Sequence, residues 1–291
     1  MTGPEVGAWS AGSGHDRGRL AEDLGLLGVR EGSIQLVQAS LRSVTPAGSD
    51  PAVLLDALLK VLGSDGTLVV PTFTSLNSTT SRAHKAVVMG MTKEQEAAYI
   101  DSLPVFDPFQ SPSEGMGALA ELVRTQRDAV RSTHPHTSFA AIGRYAVELM
   151  KHHEIGSHLG WESPVGKLYD ADADSLLLGL DYHQGCTMIH MAEYVVTRKM
   201  GADKSPIKSR EYRARTSADG APGEWQTFAD LDVDDGDFKE IGVAFEAEQM
   251  EEGSPDLRIG IVGSAYSRLV RSRRIVEFAA GWMEAHRTRA E

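Results

Sequence analysis

Apolar residues recur along this chain in two rhythms, short runs and helical spacing, and their alternation predicts helices packed on a largely parallel or mixed sheet. Residues 17–27 read as a short helix, and residues 33–39 as a strand that breaks into the polar loop 40–48. Asp50 caps the next helix with Pro51 at its first position. Leu54, Leu55, Leu58, Leu59 and Leu62 keep to one face until Gly63 ends it. Residues 67–70 form a second strand, stopped by the hydroxyl-rich run Pro71 to Ser75. A long irregular region, 76–113, holds a modest helix near 92–101, and loops of that length are usually functional or mobile. A helix at 115–125, a strand at 138–142 and a helix through Lys151 follow. Residues 175–178 are a further strand, leading through Gly179 and polar residues into the helix that carries His190. A hairpin turning at Gly220-Ala221-Pro222-Gly223, an acidic segment from Asp230 to Phe238, a last strand at 257–262 and a terminal helix at 265–286 complete the chain. The expected architecture is three-layered α/β, a central mixed sheet flanked by helices, with an inserted hairpin and acidic segment near 205–250. The expected organisation is a loose tail, 1–17, and one domain, 18–291.

Composition narrows the function classes. A chain of 291 residues with 41% hydrophobic content can fill a large core. Its formal net charge of -12 argues against a nucleic-acid partner and suits a cationic small molecule. The single cysteine, Cys186, excludes an internal disulfide and a cysteine-based zinc site. Residues 1–18 lack the apolar core of a signal peptide and no segment approaches a membrane span, so the expected location is cytoplasmic, without a membrane partner. A homodimer stays open.

Familiar motifs are missing: no phosphate loop, no G-x-G-x-x-G after a strand, no G-x-S-x-G elbow. His134-Pro135-His136 lacks the accompanying ligands of a metal site, and no metal is expected. The chemistry concentrates instead where a strand end opens into a helix, the place an open α/β sheet puts its site. There His190 and Glu193, three residues apart, share a helix face. A histidine accepts a proton near neutral pH, and a neighbouring carboxylate either holds the ring or keeps a cationic substrate close. The aspartates between Asp232 and Asp237 form a candidate rim for a cation, or simply a solvated turn.

Five segments in order carry a resemblance: Gln38-x-Ser40-Leu41-x-x-Val44; Leu55 through Gly66-Thr67-Leu68-Val69-x-Pro71-Thr72; Arg131-Ser132-x-His134-Pro135-x-x-Ser138-Phe139-Ala140-Ala141-x-Gly143; Ser163-Pro164-x-Gly166-x-Leu168-Tyr169; and Thr187-x-x-His190-x-Ala192-Glu193. Together they resemble the aminoglycoside 3-N-acetyltransferase family, antibiotic N-acetyltransferases unlike the GNAT class, whose R-x-x-G-x-G/A loop is missing here as well. The resemblance spans roughly Leu20 to the C-terminus, including Gly263-Ser264-Ala265 and Phe278-x-x-x-Trp282.

The resemblance implies transfer of acetyl from acetyl-CoA to an amine, the 3-amino group of an aminoglycoside, and hence an antibiotic-resistance transferase. On that reading His190 is the base, Thr72 the oxyanion donor, and Glu193 either orients His190 or contacts the acceptor. Ser40, Leu41, Arg42, Ser43, Ser113 and Phe139 are the expected CoA contacts, and Asp107, Asp232, Asp234 and Asp237 the acceptor contacts. Gln38 and His136 depart from the family pattern, which leaves room for another antibiotic or a biosynthetic amine as acceptor. Two other classes remain: a metal-dependent hydrolase built on His134, His136, His153, His158 and His183, and a non-catalytic antibiotic-binding protein.

Overall fold

The computed structural model describes residues 17–45, 48–74, 77–216 and 223–287. The expected tail before Arg17 and the expected turn at Gly220 to Pro222 lie outside the described residues. The elements run, in order, α1 (Arg17–Leu27), β1 (Ile34–Ala39), α2 (Leu41–Val44), α3 (Pro51–Leu62), β2 (Thr67–Pro71), α4 (Arg82–Val88), α5 (Lys93–Ser102), α6 (Gly117–Arg124), β3 (Val130–Arg131), β4 (Phe139–Gly143), α7 (Ala146–Met150), α8 (Pro164–Asp170), β5 (Asp174–Leu178), α9 (Tyr182–Gly185), α10 (Ile189–Met200), β6 (Ser209–Thr216), β7 (Glu224–Leu231), α11 (Phe238–Glu252), β8 (Leu257–Val262), β9 (Ala265–Arg271) and α12 (Ser272–His286).

Seven strands form one sheet in the order β3-β4-β2-β1-β5-β9-β8. The three inner strands β2, β1 and β5 are parallel, and antiparallel pairs close both flanks. Side chains alternate across it with the period of two that a strand imposes. Leu36, Val69, Phe139, Leu177 and Val270 pack against α7, α8, α10, α11 and α12, whereas Val37, Leu68, Val70, Leu176 and Leu178 pack against α1, α3 and α6. Both faces are therefore covered, the arrangement parallel strands require. The mixed three-layer architecture expected from the sequence is the one observed. The inserted hairpin is β6 and β7, paired from Ser209 with Leu231 to Thr216 with Glu224.

The local chemistry follows the expected device at α3, and α5 adds one of its own. The Asp50 carboxylate accepts from Ala52 N at 2.9 Å, with Pro51 opening the helix. Thr92 and Gln95 form a reciprocal capping box on α5. The end of the chain differs from expectation: 265–271 is not the start of the terminal helix but strand β9, paired with β5 and β8. Gly263, at φ +63°, turns β8 back on itself, and Leu269 and Val270 then face opposite helical layers. Tertiary pairing overrides the helical spacing there. Among the described residues, no helix is long and apolar enough to cross a membrane.

Candidate active site

The C-terminal ends of β1, β2 and β5 converge on one mouth, as the topology of parallel strands dictates. At the end of β5, Gly179 takes φ +65°, and a Cβ there would meet the Ser43 side chain at 2.5 Å. Only glycine lets that turn and the loop after β1 approach so closely. The chain then makes the short helix α9, capped by Asp181 and Gln184, and re-enters as α10.

The first turn of α10 carries His190. Its Nδ1 lies 2.9 Å from Glu193 Oε2, and Glu193 is fully buried while the imidazole keeps 17% of its surface. The other oxygen, Glu193 Oε1, accepts from Asp234 N at 2.9 Å and from Arg287 Nη1 at 2.6 Å. With Oε1 accepting from Arg287 and an amide, Oε2 is the acceptor for Nδ1, which leaves Nε2 as the ring nitrogen with the lone pair. Phe238 supports the ring, its centroid 4.6 Å away.

His190 faces a cavity of about 230 Å³ that Gln38, Phe73, Thr187, Asp235 and Phe238 also line. That is room for a thioester and an amine, not for a whole nucleotide carrier. Gln38 Oε1 accepts from Thr187 N at 3.1 Å, so its amide is oriented and its Nε2 is the end that can donate. Cys186, on the same wall, is disfavoured as a thiolate, because burial pushes its thiol up to about 12. A second cavity, about 450 Å³, lies across the acidic segment and is lined by His136, His158, Tyr212, Arg210, Asp232 and Asp234. A larger one, about 700 Å³, sits at the opposite end of the sheet beside Ile34 and Asp174, away from the base.

The residues singled out from the sequence separate into groups. His190 and Glu193 come together, and the acidic segment closes over them through the Asp234 amide. Thr72 does not reach the cavity: it is buried, and its hydroxyl is shared with Ser138 Oγ at 3.2 Å and Arg131 Nε at 3.1 Å. Phe139 is likewise a core residue, packed edge-on to Phe73 at 5.4 Å. Ser113 gives both its amide and its hydroxyl to Glu121, whose carboxyl Arg124 holds down at about 2. Ser40 and Ser43 face one another at 2.9 Å just beyond Gln38, with Arg42 and Ser43 exposed and Leu41 half-buried. Asp107 uses its carboxylate on Phe109 N, Gln110 N and Gln110 Nε2. Asp232 pairs with Arg210 at 2.7 Å and Asp237 with Arg287 at 2.7 Å. Gln38 and Arg287 are site residues that the sequence reading missed.

Four of the five clustered histidines pack together beneath the hairpin, and His183 does not join them: it lines the catalytic cavity. His134 Nδ1 accepts from the amides of His136 and Thr137, and its Nε2 donates to Ile155 O at 3.0 Å. His153 Nε2 donates to the carbonyls of Ser157 and His158. His158 Nδ1 meets Asp230 at 2.7 Å. Among the described residues no such cluster has an arrangement suited to a metal ion. Burial drives His136 and His153 down to about 3, and His134 well below its usual value.

These histidines are neutral when folded, whereas in the unfolded chain they take up protons below about pH 6.5. Stability is therefore complete above that pH and is lost as pH falls, on the order of 1 kcal/mol per histidine per unit. The melting temperature should hold above about pH 6.5 and drop steeply from there to about pH 5, roughly 1.5 units, in dichroism melts. A flat profile there would contradict the buried neutral cluster.

The family model described as aminoglycoside 3-N-acetyltransferase matches residues 36–284. The chain is 31% identical over 265 residues to the SPbeta prophage-derived aminoglycoside N(3')-acetyltransferase-like protein YokD of Bacillus subtilis (strain 168), covering 90% of each. The crystal structure of that protein superposes with a TM-score of 0.82 over 93% of this chain and 94% of that one. Aminoglycoside N(3)-acetyltransferase VII of Streptomyces paromomycinus is 30% identical over 285 residues, covering 92% of this chain and 91% of its own length. A structure of AAC-VIa bound to sisomicin is 28% identical with a TM-score of 0.75, covering 94% of this chain and 98% of that one.

Proposed function

The chain belongs to the aminoglycoside 3-N-acetyltransferase family, and from that premise we propose that it transfers acetyl from acetyl-CoA directly to an amine of an aminoglycoside-type acceptor, with His190 as general base. The family makes it an acyltransferase. The observation that carries the mechanism is the His190–Glu193 pair, with Nδ1 tied to a buried carboxylate and the ring at the cavity wall.

An amine arrives protonated and attacks only as the free base. The ammonium first gives one proton to solvent; His190 Nε2 then takes the second proton, which the nitrogen sheds as it adds to the thioester carbonyl, and the resulting oxyanion needs a donor set in advance. Thr72 is buried with its hydroxyl on Ser138 and Arg131, away from the cavity, and the Gln38 amide takes that role. Collapse breaks the C–S bond, and the thiolate of CoA leaves with the proton held by His190. The segment Ser40 to Ser43, which opens α2 beside the same mouth with Arg42 and Ser43 exposed, is suited to the carrier's amides and phosphates.

A second reading, an acceptor other than a polycationic aminoglycoside, is favoured by one specific observation. The carboxylates of Asp107, Asp232 and Asp237 already have partners inside the protein. They offer a cation less than free carboxylates would.

A thiol-release assay with acetyl-CoA against a panel of aminoglycosides and smaller amines tests both readings. Saturating CoA should also raise the denaturation midpoint, by about 3 kcal/mol of added stability at a hundredfold excess over Kd, because it binds only the folded chain. NAD and ATP should not. A midpoint unmoved by CoA or acetyl-CoA would count against the transferase reading.

A further inference from the structure

We propose that Arg287, the residue capping the C-terminal end of α12, is a positioning residue of the catalytic site that holds Glu193 in register with His190 and joins it to the acidic turn closing the cavity. The inference rests on His190 being the base and goes beyond it. Arg287 lies 94 residues after Glu193, on an element that does not line the cavity of the base.

The geometry is a four-point clasp. Arg287 Nη1 donates to Glu193 Oε1 at 2.6 Å, Nε and Nη2 grip both oxygens of Asp237 at 2.7 Å each, and Nη2 also donates to Asp234 O at 2.9 Å. All three guanidinium nitrogens are committed, and the planar fork fixes orientation as well as distance. The result divides Glu193 cleanly: Oε1 belongs to Arg287 and the Asp234 amide, Oε2 to His190. Asp235, one residue along the clasped turn, lines the cavity with His190. One side chain thus sets both the base and the wall opposite it.

Charge gives the clasp a second consequence. A fully buried carboxylate beside an imidazole, with no other cation, favours the imidazolium, which cannot accept a proton. Arg287 supplies a second positive partner for the Glu193 carboxylate, so the imidazole is not its sole counter-charge. Burial alone would lower the Arg287 guanidinium, but its bonds to Asp237 and Glu193 outweigh that and hold it above its usual range. The other groups around His190 are His183 from α9, Asp235 from the turn, and Tyr182 and Cys186, the last two pushed upward by burial and neutral through the working range.

The test compares Arg287→Gln, Arg287→Lys and His190→Ala in full-length protein, following kcat, KM and melting temperature across pH. Arg287→Gln should lower kcat at neutral pH by about tenfold or more, move its acid limb to higher pH by about one unit, and recover part of the loss in alkali, with KM for acetyl-CoA within about twofold. Arg287→Lys, which keeps the charge, should return the limb toward its original position. A merely structural role would lower activity equally at every pH and leave the limb in place, which would overturn the proposal. If Arg287→Gln melts early, the limb position in Arg287→Lys against wild type decides: a shift as large as full loss of the cation would mean the charge is irrelevant. An inactive His190→Ala with a wild-type profile for Arg287→Gln sinks only this proposal, whereas an active His190→Ala sinks the reading beneath it.

Discussion

Replacing His190 by Ala or Asn is expected to lower the turnover number by about two to four orders of magnitude while binding of both substrates survives, the range for loss of a positioned base. The ring is 17% exposed and lines a cavity, so its removal should leave the core intact. Turnover of the wild type should fall toward acid pH, since only the neutral imidazole accepts a proton, and the variants should lose that limb. Glu193→Gln should reduce turnover without weakening the acceptor, because both carboxylate oxygens are already occupied by His190, Arg287 and the Asp234 amide. A rise in the acceptor's KM with turnover intact would reassign Glu193 to substrate binding. An Ala variant at position 190 that keeps nearly full turnover from acid to neutral pH would dismiss the base and point to His183, on the same wall.

What could be read from the chain beforehand is what local spacing encodes. The leucine stripe of α3, its Asp50 cap, and the short apolar runs of β1 and β2 depend on near neighbours. So does the pair His190 and Glu193, three residues apart on one helix. The misses are long-range. Strand β9 exists because β5 and β8 offer it partners, which no spacing within 265–271 reveals. Helix α11 was hidden by glutamates diluting the stripe of Phe238, Ile241 and Phe245. Thr72 sits at a strand end, as read, but its hydroxyl meets Arg131 and Ser138 across the sheet rather than the cavity. Gln38 and Arg287 find their partners 149 and 94 residues away, and only the fold brings them there. The histidine cluster could be kept only as an alternative, because spacing cannot say which ring nitrogens carbonyls and amides already use.

Gln38→Ala is expected to reduce kcat by about 10²–10³, the cost of removing one oxyanion donor, with KM for acetyl-CoA little changed. The direction of the amide makes the case. A backbone N–H can only donate, so the 3.1 Å contact from Thr187 N identifies the bound end as Oε1 and the other end as the NH₂ group, on the side chain that lines the cavity with His190. A bland alternative is that Gln38 does no more than pin the Thr187 turn. Gln38→Glu separates the two, because it keeps an acceptor for Thr187 N and replaces the donor by an oxygen. If Gln38 stabilises the oxyanion, the Glu variant should be at least as impaired as the Ala variant, each measured at its own pH optimum, with a melting temperature close to wild type. If pinning is all it does, Gln38→Glu will turn over like wild type while Gln38→Ala melts earlier, and the oxyanion donor must then be sought among the backbone amides and hydroxyls of the turn before α10.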